Sequence, residues 1–197
     1  MPKLSGVFSS FTNLENIPID QLSHLYKVDP KVLMRRLANL LLYPQIIAQT
    51  KEELTHDLAI LEGVILLNPQ KFYDPAQRKI YIPENYLERF PDLPKLGLAF
   101  ISSIRPTPFA TLISKSPAST KNLGTVLHPE IINKSGQVNV WVDNKKYQLK
   151  IGGLMMVKTA EDKLDLKFES ASATVFGNNS YQMEAEGGEL GVIIDTR

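Results

Sequence analysis

The sequence predicts an α+β protein in which an N-terminal helical part precedes a C-terminal antiparallel β-sheet. Apolar residues recur at helical spacing up to residue 67, whereas short alternating segments separated by turn residues follow residue 137. Between them, residues 68–96 hold five of the 13 prolines. We therefore expect a helical part at 1–67, a proline- and aromatic-rich connecting segment at 68–97, and an antiparallel β domain at 98–197.

The N-terminal part is expected to form a helical hairpin or a three-helix arrangement. Asp29 and Pro30 are a typical helix start, because a carboxylate accepts from free N–H groups and proline fits the first turn. Pro44 ends that helix or bends the chain into the next one. The three apolar faces are Ile19, Leu22, Leu25 and Tyr26; Leu33, Leu37, Leu40 and Leu41; and Leu54, Leu58, Leu61 and Ile65.

The connecting segment predicts a hairpin followed by a short helix. Residues 71–73 are expected to pair with 79–82 around a turn at 74–77. A helix is expected to begin at Pro83 and to end near Glu88. Five aromatic residues within this segment indicate an ordered structure rather than a solvated linker.

The C-terminal part predicts a meander that forms a sandwich or a barrel-like sheet, because parallel crossovers need longer connections than these turns. Alternation at 163–169 indicates one buried face, and the apolar run at 191–194 indicates a central strand. The polar run at 114–124 is expected to be a loop, where Lys115 and Lys121 are candidate anion-binding residues. The predicted strands are 138–143, 146–151, 154–159, 163–169, 173–177, 181–186 and 189–195.

Composition excludes several kinds of chemistry. The chain has no cysteine, which rules out thiolate metal sites, iron–sulfur clusters and thiol catalysis. Its three histidines, at positions 24, 56 and 128, lack the spacing of a helical metal site, so we expect no metal and no cofactor. The formal net charge of +1 gives no overall attraction to nucleic acid.

The sequence indicates no membrane span and no export signal. No window approaches the roughly 18 consecutive apolar residues of a spanning helix. The first 20 residues lack the continuous apolar core of a signal peptide. We therefore expect a cytoplasmic location.

Residues 19–37, IDQLSHLYKVDPKVLMRRL, read as two short helices joined by a tight turn. The stretch resembles the helix-turn-helix family over about a tenth of the chain. Ser23 and Lys27 stand where that family usually has alanine and glycine. The positions that match its inter-helix core are Leu22, Tyr26, Val28 and Leu33.

The resemblance implies a DNA-binding helix, whereas its composition favours burial. Lys31, Arg35, Arg36 and Asn39 would contact DNA in the first interpretation. Most of the remaining circumference is apolar, which is typical of a helix packed against its own chain or a partner. In this second interpretation Met34, Leu41 and Leu42 are candidate partner-binding residues.

No nucleophile–base pair is evident, so we assign no catalytic residues and do not expect an enzyme. The preferred function is a non-catalytic binding or assembly protein, an adaptor or scaffold component that acts through an apolar helical surface or a sheet edge. Its partner would be another protein or a second copy of this chain. The alternative is a helix-turn-helix DNA-binding regulator whose β domain oligomerises or senses a ligand.

Overall fold

A computed structural model describes residues 51–197, with side chains described from residue 57 onward. These residues belong to two compact units, one of helices and one of strands. The helical unit contains 51–72 and 83–104, and the β unit contains 73–82 and 105–197. The α+β class is therefore confirmed, and the predicted connecting segment contributes residues to both units.

The helical unit contains three α-helices within the described residues: α1 (Lys51–Leu67), α2 (Glu84–Arg89) and α3 (Leu93–Ile104). A short 3-10 turn at Pro69–Lys71 follows α1. α1 confirms the third predicted helix, and α2 confirms the helix expected after Pro83. The first two predicted helices and the helix-turn-helix stretch lie outside the described residues.

Helix α3 corrects the expectation that strands begin after residue 98. Asp92 Oδ1 accepts a hydrogen bond from the backbone N–H of Lys95 at 3.2 Å, as an N-cap carboxylate does. Pro94 lies in the first turn, where it sacrifices no helical hydrogen bond. Leu96, Ala99 and Phe100 are buried at helical spacing. The cap and the spacing are readable in the sequence, but the apolar run at 96–101 does not by itself distinguish a buried helix from a buried strand.

Three aromatic rings form the centre of the helical unit. Phe72 and Phe100 meet edge to face with ring centroids 5.3 Å apart, and both also approach Tyr86. α1 packs against α3 and contributes buried apolar side chains such as Ile60 and Leu61. The ordering of these aromatics agrees with the structured segment that the sequence predicts.

The β unit contains two main sheets and one small one. The strands are β1 (Tyr73–Asp74), β2 (Lys79–Pro83), β3 (Phe109–Lys115), β4 (Thr120–Leu127), β5 (Glu130–Ile131), β6 (Gln137–Val142), β7 (Lys145–Lys150), β8 (Leu154–Val157), β9 (Lys163–Glu169), β10 (Ala173–Thr174), β11 (Ser180–Glu186) and β12 (Gly191–Asp195). The six-stranded sheet has the order β1-β2-β3-β4-β12-β8, and the four-stranded sheet has the order β11-β9-β6-β7. A small sheet pairs β10 with β5.

Most of the strand predictions are confirmed, with two corrections. The predicted hairpin is present as β1 and β2, and each of the seven later segments contains a strand. However, the predicted loop at 114–124 is the tip of a hairpin formed by β3 and β4, which turns at residues 116–119. Its polar composition reflects the three exposed residues that begin β4, whereas the remainder of that strand is buried.

The second correction concerns strand direction. β12 pairs with β8 in the antiparallel sense, but it pairs with β4 in the parallel sense, with Val192 opposite Thr125. The connection between these parallel strands contains β5 to β11, so it meets the length requirement that short turns cannot. A search for neighbouring strands only along the sequence could not find this pair.

The two main sheets pack face to face around one apolar core. Alternating residues of β6 and β9 enter it, which confirms the one-sided burial expected at 163–169. All five residues of β12 are buried, which confirms the predicted central strand. The core comprises Leu127, Val138, Val140, Val142, Val157, Leu164, Leu166, Phe168, Ala173, Val175, Ala185, Val192 and Ile194.

Gly191 should be far less tolerant of a methyl group than a glycine of similar backbone conformation. Its φ is +64°, and an added Cβ would lie 2.1 Å from the carbonyl oxygen of Val157. Gly177 has a φ of +74° with nothing within 4 Å of the same atom. We expect Gly177→Ala to lower the free energy of unfolding by about 1 kcal/mol, from backbone strain alone. Gly191→Ala should cost about 2–4 kcal/mol, because overpacking adds to that strain.

Urea unfolding followed by the fluorescence of Trp141, the chain's sole tryptophan, measures both changes in the β unit. Equal losses for the two variants would contradict the close approach of Gly191 to β8.

Candidate functional site

The edges of the two main sheets differ in how well their free backbone groups are protected. β11 and β7 end the four-stranded sheet, and β1 and β8 end the six-stranded sheet. An unprotected edge strand presents N–H and C=O groups that can pair with another chain. The four terminal strands are therefore the places where the predicted edge-mediated binding can be examined.

Three of these edges carry features that oppose pairing. β7 has exposed lysines at positions 145, 146 and 150. β11 carries Glu184 and Glu186, and β1 is only two residues long. Charge and shortness are the usual means by which sheet proteins avoid edge-to-edge association.

β8 lacks such protection. Its sequence, Leu-Met-Met-Val, has no charge, and its first three side chains are only half-buried. Met155 and Val157 belong to the apolar core, and Leu154 and Met156 alternate with them on the opposite face. Among residues 51–197, β12 is the sole strand that pairs with β8.

The ladder fixes which backbone groups of β8 point outward. The Thr196 N–H donates to the Gly153 carbonyl at 2.9 Å, and hydrogen-bonded positions alternate along an antiparallel pair. Met155 and Val157 therefore direct their backbone groups to β12. Leu154 and Met156 direct theirs to the open edge.

A clamp around Thr196 sets where β8 begins. The buried Thr196 hydroxyl lies 2.9 Å from the Gly153 carbonyl and 3.1 Å from that of Lys150, and it can donate to either. The Gly153 N–H in turn donates to the hydroxyl oxygen, and the Gly152 N–H donates to the Thr196 carbonyl. These bonds hold the turn between β7 and β8, so β8 starts at a fixed register against β12.

His128 and Asp195 form a titratable pair in the β unit. Burial lowers the pKa of His128; the Asp195 charge opposes this, and the charges of Arg105 and Arg197 reinforce it. Burial raises the pKa of Asp195, but the hydrogen bonds and charge of Arg197 and the charge of His128 outweigh it and lower the pKa. The guanidinium of Arg197 donates to both carboxylate oxygens, at 3.0 and 2.9 Å. The carboxylate is thus held ionised, and the imidazole is held neutral.

The sequence-predicted site residues of the helical part lie outside the described residues. They are the DNA-binding candidates Lys31, Arg35, Arg36 and Asn39 and the partner-binding candidates Met34, Leu41 and Leu42. Both interpretations of that helix stay predictions.

The two anion-binding candidates lie on the hairpin of β3 and β4. Thr120 opposes Lys115, and Lys121 opposes Ser114, so the two lysines occupy opposite faces. Lys115 Nζ lies 5.1 Å from the ring centroid of Tyr81, and Lys121 forms an ion pair with Glu189. The structure therefore does not bring these cations together, and anion binding by either one stays a prediction.

Acidic side chains of β11 and the following turn are engaged in separate contacts. Glu184 pairs with Lys163 at 2.9 Å, and Glu186 accepts from the Asn122 amide at 2.8 Å. Among residues 51–197, no group of three or more His, Asp or Glu side chains is placed to hold a metal ion.

Two open grooves lie on the β unit. One, of about 530 Å³, lies beside the ion pair of Lys121 and Glu189. The other, of about 660 Å³, lies beside Trp141, whose ring has the amines of Lys146 and Lys167 within 5.2 and 4.8 Å of its centroid. In neither groove is a hydroxyl or an imidazole of the described residues hydrogen-bonded to a carboxylate.

No protein-family model, curated protein or solved structure matches this chain. Within the described part of the chain, no helix combines the length and apolar character needed to cross a membrane.

The pKa of His128 predicts a specific loss of stability in mild acid. Because its folded pKa lies below the ordinary value of 6.5, the unfolded chain binds the proton more readily. Stability should therefore fall as the pH drops from about 6.5 through the folded pKa of His128. The contribution of Asp195, whose pKa is also lowered, is lost only below its ordinary value of 3.8.

Urea unfolding at a series of pH values, for the native chain and for His128→Gln, separates these contributions. The difference between the two curves should change mainly in the histidine window, with a smaller change in the carboxylate window because the charge of His128 contributes to the lowered pKa of Asp195. A constant difference throughout both windows would show that His128 titrates alike in the folded and unfolded chains.

Proposed function

We propose that this protein is a non-catalytic assembly component that associates with a second copy of itself through β8. The observation that supports the proposal is the contrast among the sheet edges: β8 is apolar and uncharged, whereas the other terminal strands are charged or very short. An edge without a lysine or glutamate is the one on which strand addition meets no electrostatic penalty.

The outward backbone groups of β8 fit an antiparallel pair with a two-fold axis at Met155. In that register Leu154 of one copy lies opposite Met156 of the other, and both present their N–H and C=O groups outward. Four inter-chain hydrogen bonds result, two for each Leu154–Met156 pair. Every side chain of the pairing is apolar, so no like charges oppose each other. The same patch serves both copies, as a two-fold interface requires.

The short length of β8 limits the expected affinity of the dimer. Four residues from each copy bury less than the roughly 1,200 Å² of a standard stable interface, unless flanking residues add to it. The dimer should therefore dissociate on dilution. Reversible assembly of this kind suits an adaptor or scaffold component better than a permanent oligomer.

The apolar helical surface and the helix-turn-helix alternative stay predictions, because their residues lie outside the described part of the chain. The β8 proposal does not depend on either one.

Met156→Pro is expected to weaken the dimer without disturbing the fold. Proline removes an N–H that points to the open edge, and proline is tolerated at such positions. Two of the four inter-chain hydrogen bonds are lost, one in each half of the pair. At about 1 kcal/mol each, the dissociation constant should rise by at least about tenfold. Sedimentation velocity or light scattering across a wide range of concentrations measures the change.

Gln148→Pro is the matched control. The Ile151 N–H donates to the Gly136 carbonyl, and the alternation along β6 and β7 then leaves the Gln148 N–H pointing outward. The position is exposed, but it lies on the lysine-protected edge, so its proline should leave self-association unchanged. A native protein that is monomeric at every concentration would overturn the proposal, and equal weakening by both prolines would exclude β8 as the interface.

A further inference from the structure

An arginine and three aromatic rings from separate strands and turns of the β unit form a cluster at the surface. The guanidinium carbon of Arg78 lies 4.7 Å from the ring centroid of Phe176 and 5.2 Å from that of Phe109. Phe176 meets Phe109 edge to face at 5.9 Å, and it meets Tyr181 at 5.4 Å. We call these four residues the arginine–aromatic cluster.

Two tight turns present the cluster. Asp74 Oδ1 accepts from the backbone N–H groups of Ala76 and Gln77, at 2.9 and 3.0 Å, and so shapes the turn that ends at Arg78. In the other turn, Val175 and Asn178 exchange backbone hydrogen bonds around Phe176 and Gly177. The two turns place the arginine and the phenylalanine side by side.

Both presenting residues have a costly backbone conformation. Arg78 has a φ of +51° and Phe176 a φ of +50°, in the left-handed region where glycine and asparagine are usual. Each costs about 1 kcal/mol relative to glycine. Strain of this kind is concentrated at binding and catalytic sites, where the side chain is needed in spite of it.

The cluster is only partly covered. Phe176 is 43% exposed, whereas most large apolar side chains of the described residues are buried. Phe109 and Tyr181 are partly buried and pack against the apolar core, which restricts the movement of their rings. Exposed rings that are held rigid lose little conformational entropy on binding, and aromatic and arginine side chains dominate protein interfaces.

The guanidinium of Arg78 differs from those of two other arginines in its hydrogen bonding. Arg89 pairs with Asp57, and Arg197 pairs with Asp195, but no acceptor among residues 51–197 receives a side-chain hydrogen bond from Arg78. The nearest turn carboxylate, that of Asp74, already accepts from two backbone groups. The rings cover a face of the guanidinium, so its N–H groups at the edge stay available for a bidentate acceptor.

The geometry points to a docking surface for a protein segment that carries a carboxylate side chain next to an apolar one. The carboxylate pairs with Arg78, and the apolar side chain packs on Phe176 beside it. The cluster offers one positive charge for the carboxylate and a surface of aromatic rings for the apolar side chain. A nucleic acid requires several cations along its phosphates, and this cluster contains one.

Peptide display on the immobilised full chain tests the proposal. A random library should enrich peptides in which Asp or Glu neighbours an apolar residue, and one enriched peptide is then synthesised and titrated by calorimetry. Arg78→Lys keeps the charge but removes the planar fork, so the affinity should fall by about tenfold or more. Phe176→Ala should cause a loss of similar size.

Arg105→Lys is the matched control, because Arg105 is an exposed arginine of the β unit with a φ of +49° that lies outside the cluster. It should leave the affinity unchanged, and so should Met156→Pro, since the cluster does not include β8. Thermal unfolding of each variant verifies that it folds. A library that yields no enriched peptide overturns the proposal. So do enriched peptides without acidic residues, or binding that is insensitive to Arg78→Lys.

Discussion

The β unit depends on the burial of β12 between two strands of opposite direction. Its five residues are all buried, and its neighbours are β4 on one side and β8 on the other. A strand covered on both faces has no polar side to orient it, so close backbone contact determines its position. Gly191 provides that contact, since its Cα faces the carbonyl oxygen of Val157 at a distance that leaves no room for a side chain. This placement of β12 directs Val192 and Ile194 into the apolar core, and it leaves β8 as the terminal strand of the six-stranded sheet.

Local patterns in the sequence predicted individual elements well, and they predicted non-local pairing poorly. Alternation at 163–169 predicted β9 with one buried face, and the apolar run at 191–194 predicted β12 with both faces buried. Both predictions succeeded because the residue types along a strand directly indicate which of its faces are buried. The parallel pairing of β4 with β12 has no local signal. The missed helix α3 shows a different limit, since a continuous apolar run does not distinguish a buried strand from a buried helix unless its cap is weighed.

The candidate surfaces were predictable only in part. The sequence indicated that an edge strand must be protected or paired, and the absence of charge at 154–157 is visible in the printed residues. Which strand ends each sheet is a property of topology, so β8 emerged only from the structure. Arg78 and Phe176 are 98 positions apart in the sequence, and neither belongs to a recognisable motif. Their left-handed backbone conformations are likewise unreadable from residue types that normally avoid them.

The order of the strands along the chain also determines when the six-stranded sheet can close during synthesis. β1 to β4 emerge from the ribosome first, yet the inner side of β4 has no neighbour until residues 191–195 arrive. One edge of β4 must therefore stay unpaired, with its apolar residues exposed, while more than 60 further residues are translated. An exposed apolar strand edge is a natural target for a chaperone that binds extended apolar segments. The central pairing of the six-stranded sheet, that of β4 with β12, thus forms late and between residues far apart in the sequence. Folds that depend on such non-local pairing acquire their native structure slowly.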